Sequence, residues 1–274
     1  MLIIVLGCGC QQLKKPMYFF LLNLSMVDIC FSSITMPWAI YLLLAKDKTI
    51  SLPACVIQMY SFLAFTSSEF LLLSAMAYDR YVAICDPLHY NVTVNKKLCA
   101  IFALCCWLLG FVDTLPHAHF ALYACYCKAN KINHFFCDLT ALMKLSCSET
   151  YTIEMITYVE GAFLGFGPFL LTLTSYIFII KVIFKISSTE GRSKTFSTCS
   201  SHLIVVAIFY STTLSMYVRP TYSFSLENNK VVTLVYVIVI PFINPLIYSL
   251  RNSELKQAII MKFKLNLFRR KKMS

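Results

Sequence analysis

Long apolar stretches separated by short polar ones dominate the chain. A helix that spans a bilayer needs about 20 predominantly apolar residues, because the hydrocarbon core is roughly 30 Å thick. Six stretches reach that length and predict membrane helices over 17–44, 55–81, 98–118, 153–183, 196–218 and 231–250. Polar segments such as Lys46-Asp47-Lys48, the run 91–97 and the run 187–194 part them. The runs are continuous rather than alternating, which excludes a transmembrane β-barrel. The run over residues 1–10 is shorter, since ten helical residues rise about 15 Å, half of what a span requires. Nothing basic precedes it, and Gln11-Gln12-Leu13-Lys14-Lys15 is a weak cleavage context, so it reads as the remnant of a first helix rather than a signal peptide. The expectation is one all-α membrane domain over 1–274, closed by a short amphipathic helix and a basic tail over 252–274.

Composition agrees. The 274 residues are 58% hydrophobic and only 14% charged, where soluble domains carry about 25% charged residues. Charge then orients the spans. Placing the loops alternately on two sides puts 17 of the 24 basic residues on one side, including all eight from Arg251 to Lys272, and seven on the other. Basic loops stay cytoplasmic, so the C-terminus is expected inside and the stretch from Cys127 to Cys147 outside. The net charge of +11 is thus an orientation signal and an attraction to anionic inner-leaflet lipid. Nucleic acid is not an expected partner, because no soluble domain exists to carry a basic binding surface.

A few polar residues do not fit a purely structural reading. Ionisable groups inside a membrane are costly and mark functional sites. Asp28 and Glu69 both sit mid-helix in apolar sequence; they are either hydrogen-bonded packing residues or a pair that shares a proton or a sodium ion, a hard cation suited to oxygen ligands. Asp79-Arg80-Tyr81 closes the second complete span, where the Arg could be a snorkelling anchor. Asn244-Pro245 interrupts the last span with a residue that removes a backbone hydrogen bond. Cys125, Cys127, Cys137 and Cys147 share one outer loop, and Cys55 opens the second span on the same face. Extracellular thiols oxidise by default, and five of them leave one over. His117, His119 and His134 near those cysteines offer metal binding as the weaker reading, because oxidised cysteines are not thiolate ligands. No nucleophile–base constellation, phosphate-binding loop or metalloprotease motif is present, so no enzymatic activity is expected.

These signals combine with a series of short motifs: Pro-Met-Tyr-Phe-Phe-Leu (16–21), Leu-Ser-Met-Val-Asp (24–28), Met-Ala-Tyr-Asp-Arg-Tyr-Val-Ala-Ile-Cys (76–85), Pro-Leu-His-Tyr (87–90), His-Phe-Phe-Cys-Asp (134–138), Ser-Tyr (175–176), Lys-Thr-Phe-Ser-Thr-Cys-Ser-Ser-His-Leu (194–203) and Pro-Phe-Ile-Asn-Pro-Leu-Ile-Tyr-Ser-Leu-Arg-Asn (241–252). In this order they make the sequence resemble the mammalian-type odorant receptors, a branch of the rhodopsin-like G-protein-coupled receptors, along essentially its whole length. The resemblance implies a seven-transmembrane bundle with an incomplete first helix, lying in the plasma membrane. It implies an odorant receptor that binds small, mostly hydrophobic molecules and activates a stimulatory G protein to raise cyclic AMP. Arg80 would hold the resting state through Asp79, beside Tyr81, and receive the G protein on activation. Asn244, Pro245 and Tyr248 would rearrange with Tyr176 as their partner, and the helix beginning at 194–202 would swing outward. Asp28 and Glu69 match the family's sodium-binding pair, the only cofactor-like feature. Cys55 would bond Cys137 and Cys127 would bond Cys147, leaving Cys125 spare.

The ligand pocket is expected in the outer half of the bundle. Counting back from Asp79-Arg80 by helical turns puts Phe62, Leu63, Thr66 and Ser67 on one inner face. Tyr210, Thr213, Leu214 and Tyr217 would face them, giving an apolar wall with a few hydroxyls. Glu160 is either a lipid-interface or loop residue or a contact for an amine or hydroxyl. The chain departs from the family in lacking a full first helix with Gly-Asn, and in Lys14-Lys15, Asp86, Ala141 and Ser211. These departures predict poor delivery to the cell surface, and a non-signalling truncated product stands as the alternative. A transporter would show internally repeated halves or matched broken helices, which are not seen.

Overall fold

A computed structural model of the chain describes residues 15–45, 49–127, 131–132, 136–217 and 240–251. The expected remnant over 1–10, the outer part of the last span and the segment 252–274 lie outside the described residues. Ten α-helices occur among those that are described: α1 Pro16–Leu44, α2 Leu52–Cys85, α3 Tyr90–Thr93, α4 Lys96–Asp113, α5 Leu115–Tyr123, α6 Leu139–Leu145, α7 Tyr151–Glu160, α8 Gly167–Lys185, α9 Thr189–Tyr217 and α10 Ile240–Arg251. A π-helical stretch, Gly161–Phe166, joins α7 to α8. Among the described residues the extended chain is limited to one bridge between Tyr126 and Ser146. Five helical stretches are long and apolar enough to cross a membrane. The molecule is an all-α membrane protein.

Local chemistry sets the helix ends. Pro16 and Pro53 open α1 and α2, where a missing N–H costs nothing. The Asn95 side chain caps α4 by accepting from the Leu98 N–H at 2.9 Å, and Asp138 caps α6 through the Thr140 N–H at 3.2 Å. The third complete span is not continuous: it breaks at Thr114 and resumes as α5 with Pro116 in its first turn, because proline cannot donate to residue 112 and its ring crowds that carbonyl. Pro168 stands likewise in the first turn of α8. Just ahead of it the ladder widens, and the Gly167 N–H donates to the Ala162 carbonyl five residues back.

The long helix α2 is the axis. It packs on α1, α4 and α8 and also touches α5 and α9, and it is the most buried of the five candidate spans. The main apolar core joins Phe20, Leu21 and Leu24 of α1 to Phe62, Leu72, Leu73 and Met76 of α2 and to Phe209 of α9. A smaller core at the opposite end holds Cys55, Val56 and Met59 against Ala121, Leu139 and Leu142. Gly110 lets α4 approach α2: a Cβ there would collide with the Ser68 hydroxyl and lie 2.7 Å from the Ala64 carbonyl oxygen. Asn23, within a formal glycosylation triplet, instead accepts a hydrogen bond from the Trp107 indole at 3.1 Å.

Candidate functional site

Three polar clusters interrupt this apolar bundle. The first lies at the C-terminal end of α2. Arg80 folds back on its neighbour, with Nε 3.0 Å and Nη2 2.5 Å from Asp79 Oδ2. The Tyr90 hydroxyl of α3 donates to the other oxygen, Asp79 Oδ1, at 2.8 Å. Asp79 is fully buried, so its charge is met by one cation and one phenol. Burial and the Asp79 carboxylate both push the Tyr90 phenol above the usual tyrosine range, which keeps its proton on and the bond made. Beside this cluster the Tyr176 hydroxyl of α8 lies 2.7 Å from His202 Nδ1 of α9, with the rings stacked. Tyr176 was expected to partner Asn244, Pro245 and Tyr248; the structure pairs it with His202, and the side chains of Pro245 and Tyr248 lie outside the described residues. Tyr81 is half-buried and meets Phe178 edge to face.

The second cluster is in mid-bundle. Asn244 Nδ2 of α10 donates to Asp28 Oδ1 of α1 at 3.2 Å and to Glu69 Oε1 of α2 at 3.1 Å. All three residues are buried. One amide thus ties three helices through two carboxylates, and one oxygen of each carboxylate is taken by it. An oxygen-rich donor set of this kind fits a hard monovalent cation or a shared proton. Among the described residues no three His, Cys, Asp or Glu side chains converge as a metal site. His119 is exposed against Tyr123, His117 points elsewhere, and His134 lies outside the described residues. Among the described residues, histidine–cysteine metal binding therefore has no geometric support.

The third cluster is at the other end, below the disulfides. Cys55 is bonded to Cys137 at 2.04 Å and Cys127 to Cys147, while Cys125 is free and exposed. Gln58 Oε1 accepts the Cys137 N–H at 3.0 Å, and Phe136 stacks on Phe62 at 4.6 Å, so the loop is seated on α2. Of the residues expected to line a pocket, Phe62, Thr66, Tyr210 and Thr213 are buried, and Leu63 and Ser67 are half-buried. Leu214 is 49% exposed. The Tyr217 side chain lies outside the described residues. The Thr66 and Thr213 hydroxyls donate to their own helices, to the Phe62 and Phe209 carbonyls at 2.8 Å, whereas the buried Tyr210 hydroxyl has no partner among the described residues.

Glu160 is half-buried at the end of α7. Its Oε2 lies 3.2 Å from Nε2 of the buried His117, which also lies 3.0 Å from Thr157 Oγ1. Asp113, at the end of α4, hydrogen-bonds Ser67, and its charge acts on Glu160. Sequence reasoning assigned no role to Asp113, Thr157, Tyr90 or His202. An ionisable residue in an apolar run was the available signal for Asp113, and it passed unused at the helix end. Tyr90 and His202 fell inside quoted motifs without a role.

A family model described as olfactory receptor matches residues 2–265. The chain is 46% identical to olfactory receptor 5AR1 of Mus musculus over 248 residues, covering 90% of this chain and 80% of that protein. It is 46% identical to olfactory receptor-like protein OLF1 of Canis lupus familiaris over 247 residues, covering 90% and 79%. It is 44% identical to olfactory receptor 1F1 of Homo sapiens over 259 residues, covering 94% and 83%.

Proposed function

The chain belongs to the olfactory receptor family, and from that premise we propose that it couples a small, weakly polar odorant to a stimulatory G protein and so raises cyclic AMP. Membership makes it a multi-pass membrane receptor and not an enzyme. In the proposed orientation the Asp79–Arg80 end faces the cytoplasm, as does the C-terminus, and the disulfide end faces outward.

The observation that carries the reading is the closed Asp79–Arg80–Tyr90 cluster. Arg80 is held by Asp79, and Tyr90 on α3 holds the same carboxylate. A cation kept in reserve by a neighbouring acid, with a second clasp from the following loop, is a two-state element. Ligand bound between α2 and α9 at the outer end shifts the balance only by binding one state better. Rotation of α9 against α8 would part Tyr176 from His202 and free the inner face for a partner. In mid-bundle, Asp28, Glu69 and Asn244 join α1, α2 and α10, and a sodium ion held by the two carboxylates would favour the resting arrangement.

The test is a cyclic AMP reporter in cells exposed to an odorant panel. A response that is lost in an Arg80→Ala variant still present at the surface supports the reading. An unchanged response in that variant overturns it.

A further inference from the structure

The outer cluster has more hydrogen-bond acceptors than donors. Thr157 Oγ1 donates to the Ile153 carbonyl at 2.7 Å, so its lone pairs are what His117 Nε2 meets at 3.0 Å. The imidazole proton therefore sits on Nε2, directed at Thr157 and at Glu160 Oε2. This leaves Nδ1 as an acceptor, and it is buried with no hydrogen-bond partner among the described residues. A protonated imidazole would bury a second N–H without an acceptor, which is costly. Glu160 brings its carboxylate to this ring, with Oε2 at 3.2 Å, and the carboxylate of Asp113 is near enough for its charge to act on Glu160. The matching donors are His117 Nε2–H and the Ser67 hydroxyl on Asp113.

No described Lys or Arg lies within ion-pairing distance of either carboxylate; the ion pairs among the described residues are Arg80–Asp79, His89–Asp86 and His117–Glu160. Both acids are half-buried, hence within reach of a ligand. They come from different helices, α4 and α7, next to the predicted pocket residue Ser67 on α2. The backbone widens into its π-helical stretch immediately after Glu160, a feature that recurs at functional sites.

A site short of donors and of positive charge selects for a ligand that brings both. Carbonyl odorants such as aldehydes and esters only accept, and alcohols bring one donor and no charge. We infer that Asp113, Glu160 and His117 form the polar end of a ligand site for small alkyl amines bound as ammonium ions. The inference rests on the receptor reading for its location but not on signalling. The ammonium N–H groups bond the two carboxylates, and the alkyl chain extends along Phe62 and Tyr210.

The receptor in lipid nanodiscs is unfolded thermally with n-hexylamine, 1-hexanol or hexanal, probes of equal chain length. Stabilisation by hexylamine at roughly tenfold lower concentration than by hexanol or hexanal is expected. Glu160→Gln and Asp113→Asn are each expected to raise the hexylamine midpoint by about tenfold or more, while leaving that of hexanol in place. Equal response to amine and alcohol in the unmodified chain, as a pair merely sharing a proton would give, overturns the inference, as does an unchanged hexylamine midpoint in both variants. The unmodified chain alone decides the case if a variant fails to fold. Arg80-dependent cyclic AMP signalling to neutral odorants, without amine preference, removes this site and leaves the receptor reading standing. Amine stabilisation without such signalling does the reverse.

Discussion

Two polar clusters along the α2 axis treat their carboxylates in opposite ways. At Asp79 the protein supplies its own cation and its own phenol, and both carboxylate oxygens are engaged within the chain. At Asp113 and Glu160 it supplies one imidazole N–H and one hydroxyl for two carboxylates. Desolvated charge costs several kcal/mol per ion unless paired and hydrogen-bonded, so the first cluster is complete in itself and the second is not. A complete cluster serves to hold a conformation. An incomplete one serves to receive something. The first cluster is also the more deeply buried, with Asp79 sealed off and Asp113 and Glu160 only half-buried, and each can be attacked one residue at a time.

The largest effect is expected from Asp79→Ala. It strands the half-buried Arg80 guanidinium without a partner and releases Tyr90, a loss of about 3–5 kcal/mol in the closed arrangement. Basal G-protein activation should rise while the thermal unfolding midpoint falls, read on the same nanodisc preparation. A silent receptor with unchanged stability would mean that Asp79 does not restrain Arg80. Next comes Gly110→Ala. The new Cβ meets the Ala64 carbonyl oxygen at 2.7 Å and the Ser68 backbone nitrogen at 2.9 Å, neither of which can move without bending α2. A loss of about 1–3 kcal/mol follows from such overpacking. Because Gly110 lies one turn before Asp113, pushing α4 outward also separates Asp113 from Ser67. The hexylamine midpoint should therefore worsen while the Asp79 cluster, more than two turns further along α2, keeps its basal signalling unchanged. Equal damage at both clusters would dissolve the comparison.

Much of this was legible from sequence where one residue's chemistry fixes its surroundings. Asp28 and Glu69 announced themselves as charges inside apolar helices, and the fold brings them to one amide. The cysteines of the outer loop paired as the family resemblance implied. Glu160 was read with two alternatives, and the structure adds a neighbour that neither of them named, His117 on another helix. Asp113 lay hidden, and His117 was read only as a weaker metal-ligand candidate, because the expected helix over 98–118 was treated as one regular rod. The break at Thr114 before Pro116 re-aims His117 toward α7, and helical periodicity counted from Asp113 cannot foresee that. Leu214 shares a stripe with Tyr210 and Thr213 in an ideal helix, but it sits at the stripe's edge and is exposed where they are buried. Tyr176 was expected to partner Asn244, Pro245 and Tyr248 as the inner half rearranges, and in this structure its hydroxyl meets His202 across the α8–α9 contact.

Ser67→Ala should give the smallest effect and the most discriminating one. It removes the hydroxyl that Asp113 accepts from and leaves the α2 backbone untouched. Ser67 is half-buried, so water can replace part of the lost bond, and a net loss of about 1 kcal/mol is appropriate for a single hydrogen bond. Stability should barely change. Ligand preference should change in a defined direction: with one donor fewer, the two carboxylates depend more on an external cation, and the gap between hexylamine and hexanol midpoints should widen. If the outer cluster were instead a self-sufficient network like the one at Asp79, the same substitution would lower the unfolding midpoint and leave that gap where it was.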